Sequence, residues 1–469
     1  MPHAEHMPAL VWISGSGPNT QYPVPAGHCD CDCNKACPPY RQIESFQYPT
    51  TWDEIPTVRI DWCHSVAIIP HLDRVVALTP QVMEQFSPAR LGSAIEKVLA
   101  SPLPSSCTPD GRALDVWLHL TDDCNLRCTY CYVPKRPQAM SQEVAQRAVE
   151  ATVRSALQHE FDTLHLKYAG GEPLLNIATL LSAHDYAAGQ ASQYGLRLKP
   201  VVLTNGTLLS DQCIAELEQR DISISISLDG LGAVQDGQRK CVDGSDSFAL
   251  VEKSLERLEH LGVQPHISIT VTAYSVKFLP ALFDYLLRRN LSFSLNFYRE
   301  HGRSGEQSHL SITERAIPHI LAALEVVEQH LSPQSLIGVL ADRADFRFTH
   351  LFACSAGHSY LVIDPNGQVF KCQMDMSHSV SSIDAHDPLK AVRNSLDGIQ
   401  NLPAGKRTEC AGCRWRFWCG GGCPYLTNHI KGQFGTSSPH CDIYQAVFPA
   451  VLRLEGLRLL KYCDPVGLS

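Results

Sequence analysis

No stretch of the chain approaches the ~18 consecutive apolar residues of a membrane span, so insertion into a bilayer is not expected. The opening residues, MPHAEHMPALVWISGSGPNT, lack the basic flank and apolar run of a secretory signal, and the protein is expected in the cytoplasm. A long basic block is missing too. Lys plus Arg number 39 against 48 Asp plus Glu, a net charge of -9, which disfavours a nucleic-acid partner. Cysteine, by contrast, is abundant, at 19 in 469 residues. A reducing compartment makes so many disulfides hard to explain, and metal or iron–sulfur ligation is the better reading.

The length suits a barrel-sized core with satellites, and 44% apolar with 19% charged residues is a globular composition. Residues 1–55 are rich in Pro, Gly, His and Cys without periodicity and read as irregular structure. Residues 56–110 read as a small α+β module, with β-like runs VRIDW, SVAIIP and RVVAL and a short helix near 88–100. Such a module either holds a peptide leader or caps the barrel.

Over residues 111–340 short apolar strands alternate with amphipathic segments, the signature of a βα repeat. Strands are expected at 116–121, 164–168, 201–204, 222–228, 266–272 and 293–298. Helices are expected near 141–160, 175–194, 209–219, 247–261, 276–289 and 312–331. The fold class is therefore α/β, a partial (β/α)6 TIM-like barrel with its chemistry at the carboxyl ends of the strands. Residues 341–469 lose this rhythm and gain cysteines.

Cys124, Cys128 and Cys131, in TDDCNLRCTYCY, form a C-x3-C-x2-C array on the loop leaving the first strand. Chance alone yields such an array roughly 0.03 times in a chain of this cysteine content. Three thiolates hold three irons of a cubane and leave the fourth open to a reactive ligand; a three-ligand zinc loop is the alternative. With Tyr130 before the third cysteine, the array resembles that of the radical S-adenosylmethionine (SAM) superfamily. The resemblance implies a SAM-binding 4Fe–4S cluster and one-electron cleavage of the sulfonium to a 5′-deoxyadenosyl radical.

Gly170, Gly171, Glu172 and Pro173 after the second strand match the family's Gly-Gly-Glu-Pro motif, whose carboxylate receives the SAM amino group. The glycines are expected to let the backbone approach a ligand. Asn205 and Ser227 follow the third and fourth strands, and Ser227 is implied to bind the ribose or carboxylate. Arg239, in QDGQR, is an implied partner of the SAM carboxylate, with a surface cation as the alternative; Gln235 there replaces a more usual His.

Farther on, Cys354, Cys372, Cys410, Cys413, Cys419, Cys423 and Cys441 resemble the seven-cysteine SPASM pattern, named for subtilosin, PQQ, anaerobic sulfatase and mycofactocin maturation. This implies a C-terminal SPASM extension with one or two auxiliary 4Fe–4S clusters. The far one would take Cys410, Cys413, Cys419 and Cys441; the near one would take Cys354, Cys372 and Cys423, with its fourth ligand left to His350 or a substrate. A four-cysteine zinc site is the alternative for the middle group. Sulfatase-maturing members carry a basic Asp directly after the second auxiliary cysteine. Here that residue is Gln373, leaving Asp375 as the candidate base or as a solvent-exposed loop residue.

Cys29, Cys31, Cys33 and Cys37 form a further array, either a metal site or a tail without specific role, and Cys63, Cys107, Cys213, Cys241 and Cys463 read as packing residues. The expected function is oxidative modification of a side chain of a ribosomal precursor peptide or protein, giving a thioether, carbon–carbon link or related change. The electron donor would be a flavodoxin or ferredoxin. A formylglycine-generating sulfatase maturase and a non-catalytic iron–sulfur or zinc protein are the alternatives.

Overall fold

The computed structural model describes residues 9–13, 51–61, 63–69, 74–98, 113–301, 308–347 and 349–467. Four short strands, β1 (Leu10–Ile13), β2 (Thr57–Arg59), β3 (Ser65–Ile69) and β4 (Arg74–Leu78), form an antiparallel sheet with Val466–Gly467, in the order Val466–Gly467, β1, β4, β3, β2. β1 lies in a segment expected to be irregular. Its four residues, LVWI, are too few to show alternation, and the sheet is what orders them. The β2–β3 turn is held by Asp61, which accepts from the Cys63 N–H (2.7 Å) and pairs with His64 Nδ1. Helices α1 (Pro80–Gln85) and α2 (Pro88–Val98) follow.

The main sheet contains the six expected strands: β5 (Ala113–His119), β7 (Thr163–Ala169), β8 (Arg197–Thr204), β9 (Ser223–Ser227), β11 (His266–Val271) and β12 (Ser292–Phe297). They pair in parallel in the order β12, β11, β9, β8, β7, β5. The two short strands omitted from this run, β6 (Leu126–Cys128) and β10 (Arg239–Cys241), pair with each other outside it. Between the strands run α3 (Gln142–Gln158), α4 (Ile177–Tyr194), α5 (Asp211–Glu218), α6 (Ala233–Gln238), α7 (Phe248–Leu261), α8 (Leu279–Arg288) and α9 (Ile317–Gln329). Ser141 and Ser210 cap α3 and α5 by accepting the N–H groups of Val144 and Cys213.

Alternation along β5 sorts its residues between two environments. Leu114, Val116 and Leu118 join the large core shared with the helices, whereas Trp117 packs with Ala169, Tyr360 and Val362. Asp115, on the same face as Trp117, is buried against His165 (3.1 Å), Lys167 (3.6 Å) and Ser355 (3.0 Å). Burial alone would raise its pKa, but Lys167 and these hydrogen bonds hold it below the usual carboxylate range.

The sheet does not stop where the βα rhythm does. β13 (Tyr360–Ile363) adds in parallel beside β5, and β14 (Gln368–Phe370) and β15 (Ser381–Ser382) continue antiparallel. No helix separates β13 from β14, so the βα pattern is absent where a seventh parallel strand is present. Beyond them lie α10 (Pro388–Asn394), α11 (Arg416–Cys419), α12 (Pro424–Lys431) and α13 (Cys441–Tyr462). α13 lies against β1 to β4 and α9, and its Gly456 is so close to β2–β3 that a methyl group there would stand 2.5 Å from Ile60 Cδ1. Among the described residues no helix is long and apolar enough to cross a membrane.

Candidate functional site

Cys124, Cys128 and Cys131 leave the carboxyl end of β5 on a loop pinned by its neighbours. Gly171 N–H donates to Thr121 O (2.6 Å) and Glu172 N–H to Asp123 O (2.9 Å). Asn205 Nδ2 donates to Asn125 Oδ1, and Asn125 Nδ2 to Thr207 Oγ1, each at 2.8 Å. In the β6–β10 pair, Arg239 stands opposite Cys128. The glycines thus serve the approach of two backbones. Gly170 has φ +153°, and a Cβ at Gly171 would lie 2.0 Å from Asp123 O. Asn205 likewise holds the cysteine loop.

Glu172, fully buried, accepts from Leu174 N–H (3.1 Å), Thr204 Oγ1 (2.7 Å) and Asn205 N–H (2.8 Å). A carboxylate has about four acceptor positions, so these three leave one for an ammonium group. Burial pushes its pKa up to about 7 against these hydrogen bonds. Pro173 starts the short helical turn that follows, and Ser227 is half-buried at the end of β9.

Arg239 is not a surface cation. It is 8% exposed and grips Asp229 through Nε (2.7 Å) and Nη2 (3.2 Å). Tyr130 OH donates to the same carboxylate, and the guanidinium lies 5.3 Å from the Tyr130 ring centroid. Gln235, where a His is more usual, accepts from Asp229 N–H (2.8 Å) and so closes the turn after β9. Asp229 was not foreseen as the hub of this network; it is recognisable only once β9 and β10 are brought together.

Lys135 Nζ lies 3.2 Å from Cys131 Sγ, close enough to balance thiolate charge. Burial raises the Cys128 thiol to about 12, so a metal must displace its proton to bind. A zinc tetrahedron with Zn–S of ~2.3 Å would hold sulfurs about 3.8 Å apart. Among the described residues only Asp61, Cys63 and His64 bring three ligand atoms within 4.8 Å. No three of the ten cysteines of interest come that close among the described residues.

Cys410, Cys413, Cys419 and Cys441 line one small recess, with Trp415 and Tyr444. Cys423 does not line it. Cys354 and Cys372 instead pack with Trp117 and Ala169 at the barrel strands. Asn401 Nδ2 donates to Cys354 O (2.7 Å). His350 is buried, its N–H bonded to Phe417 O (2.7 Å). Two buried donors beside these cysteines, Arg407 Nη2 and Trp418 Nε1, have no hydrogen-bond partner among the described residues. Sulfurs of an iron–sulfur cluster would accept from them.

A cavity of about 680 Å³ opens between the two cysteine regions. Asp122, Tyr132 and Val133 of the first loop border it, as do Gln373, Asp375 and His378 of the second region. Asp375 is therefore no solvated loop residue: its side chain is 12% exposed and pairs with His378 Nδ1 at 2.5 Å. Gln373 Oε1 accepts from Tyr360 OH (2.9 Å). His119 and Asp122, paired at 2.9 Å, also face the cavity and escaped the sequence reading. Their signal was slight: His119 shares the face of β5 that carries Asp115, and Asp122 lies just beyond the strand. Cys29, Cys31, Cys33, Cys37 and Cys107 lie outside the described residues, whereas Cys213, Cys241 and Cys463 are buried.

Residues 118–277 match the family model of the Radical SAM superfamily. The chain is 24% identical to the serine-type anaerobic sulfatase-maturating enzyme of Klebsiella aerogenes, over 65% of this chain and 78% of that one. It is 26% identical to mycofactocin maturase MftC of Mycobacterium ulcerans, over 65% and 81%. Similarity of 23% extends to Fe-coproporphyrin III synthase of Methanosarcina barkeri, over 71% and 88%. The fold is shared with native anSMEcpe with bound AdoMet and Kp18Cys peptide, at TM-score 0.59 and 17% identity, over 72% of this chain and 98% of that one.

Proposed function

Because residues 118–277 form a radical SAM domain, we propose that this enzyme oxidatively modifies a side chain of a ribosomal precursor peptide. The observation that carries the reading is the cavity that borders both the SAM-cluster loop and the auxiliary segment Gln373–His378. When bound, SAM and its 4Fe–4S cluster supply a hydrogen-abstracting radical, and the auxiliary clusters supply an acceptor for the electron the substrate then gives up.

The chain's own residues do the rest. Cys124, Cys128 and Cys131 hold the first cluster, and Lys135 balances its charge. The one acceptor position left on Glu172 takes the SAM ammonium, with Ser227 available to the ribose. Arg239, spent on Asp229, holds Tyr130 and the turn after β9 in place and so orients the nucleotide side of the site. Cys410, Cys413, Cys419 and Cys441 hold the far auxiliary cluster, and Cys354, Cys372 and Cys423 the near one. Asp375, steadied by His378, takes the proton released as the substrate loses its second electron. Similarity to sulfatase and mycofactocin maturases supports a peptide as the substrate.

The test is anaerobic reconstitution with iron, sulfide, SAM and a reductant such as flavodoxin, with short peptides encoded beside the gene. Release of 5′-deoxyadenosine, with a peptide that has lost two hydrogen atoms, is the expected result. Iron-replete protein that releases 5′-deoxyadenosine but leaves every peptide unchanged while converting a small molecule would refute the peptide reading.

A further inference from the structure

Arg407 is among the largest fully buried side chains, at 0% exposure. Its Nε donates to Leu402 O (3.2 Å) and its Nη1 to Gly421 O (2.8 Å), while Nη2 has no partner among the described residues. No carboxylate there pairs with it. A buried cation with neither counter-ion nor full hydrogen bonding is expensive, and an anion held beside it would offset that cost.

Its surroundings identify that anion. The backbone O of Arg407 accepts the Cys410 N–H at 3.0 Å, so the residue opens the turn that carries the far-site cysteines. Its side chain then lies across Gly421, where a Cβ would stand 2.8 Å from Cδ and Nε and 3.0 Å from Cζ. Gly421 is midway between Cys419 and Cys423, which the proposed function assigns to different clusters. Gly420, its neighbour, abuts the backbone of Ala353, beside Cys354. The charges that would act most on the guanidinium are those of Cys410, Cys354, Cys419 and Cys423, in that order. Neutral thiols offer a cation nothing, but iron-bound thiolates and sulfides do.

We propose that Arg407 is a cation shared by the two auxiliary clusters, donating Nη2–H to a cluster sulfur and raising the potentials of both. This rests on the two-cluster assignment above and deepens it. A positive charge between two one-electron acceptors favours the reduced state of each, as an enzyme that must withdraw an electron from its substrate requires. Arg407 is a positioning residue: it acts on the clusters and touches no substrate.

The test is an anaerobic redox titration of the reconstituted full chain, followed by electron paramagnetic resonance, for wild type, Arg407→Gln and Arg407→Lys. Arg407→Gln should lower both auxiliary midpoints by at least about 59 mV, a tenfold change in each oxidised-to-reduced ratio, and leave the SAM-binding cluster where it was. Arg407→Lys, which keeps the charge, should recover part of the shift. Unchanged auxiliary midpoints in iron-replete Arg407→Gln would overturn the proposal. Should that variant fail to assemble, wild type grown with ¹⁵N-arginine decides. Nitrogen hyperfine coupling at the reduced auxiliary cluster that accepts Nη2–H is expected, and its absence from both auxiliary clusters refutes the shared cation. Neither readout involves a peptide, so failure here is distinct from failure of the proposed function.

Discussion

Gly171 and Asp123 meet backbone to backbone, with room for a hydrogen atom but not for a methyl group: a Cβ on Gly171 would stand 2.0 Å from the Asp123 carbonyl oxygen. Asp123 directly precedes Cys124, so this contact fixes how the cysteine loop leaves β5. Gly171→Ala is expected to destabilise the fold by about 1–3 kcal/mol and to displace the loop. Iron per chain and the thermal midpoint check this, and a variant with full iron and an unmoved midpoint would show the contact to be slack.

Glu172→Gln keeps the size of the side chain and removes its charge. A lost charge-assisted hydrogen bond is worth roughly 1.5–3 kcal/mol, so SAM binding should weaken by about one to two powers of ten. Glu172 has a raised pKa, so its favourable contribution is complete below the unfolded value near 4.5 and is lost as pH rises through about 7. SAM-free Glu172→Gln should therefore be at least as stable as wild type at pH 8. Calorimetric titration with SAM and urea melts separate the two effects.

Asp375→Asn tests the proton acceptor. General bases contribute roughly 10²- to 10⁴-fold, and peptide product should fall by that order while 5′-deoxyadenosine is still released. The ratio of the two, by mass spectrometry, is the measurement. A parallel fall in both would place Asp375 in SAM binding instead.

Cys128→Ala and Cys413→Ala should divide the activity differently. The first is expected to abolish SAM cleavage, whereas the second leaves some cleavage and no net product. Identical losses in both would contradict separate roles for the two cysteine groups.

His266 is buried between Ser292 Oγ (3.1 Å) and Ser294 Oγ (2.9 Å), and burial lowers its pKa to about 3. The unfolded chain takes up a proton near pH 6.5 that the folded one refuses, so stability from this residue is present above pH 6.5 and is lost as pH falls toward 3. The slope reaches at most about 1.4 kcal/mol per pH unit. Urea midpoints at pH 6.5 and 4.5 should differ less in His266→Asn than in wild type.

The six barrel strands and their helices were legible because each apolar run is bounded by turn residues and followed by an amphipathic segment. The triplet Cys124, Cys128 and Cys131 was legible because its ligands are close in the chain, and the seven later cysteines were legible through their resemblance to a known pattern. What stayed hidden depends on residues distant in sequence. Nothing local marks Tyr360–Ile363 as a neighbour of β5, since its partner lies 245 residues earlier. Arg239 reads as a partner of the SAM carboxylate or as a surface cation until the turn after β9 presents Asp229 to it. Asp375 reads as exposed until β13 and β14 turn it toward the cavity.

The small sheet near the start of the chain has a consequence for synthesis. β1 sits between Val466–Gly467 and β4, and its face is roofed by α13. At ~5–20 residues per second, roughly 20–80 s pass between translation of Leu78 and of Tyr462. Throughout that interval Val66, Ile68 and Ala77 have no roof, and a chaperone that binds extended apolar segments would find them on the ribosome. The helix that ends the wait begins at Cys441, a cysteine of the far recess.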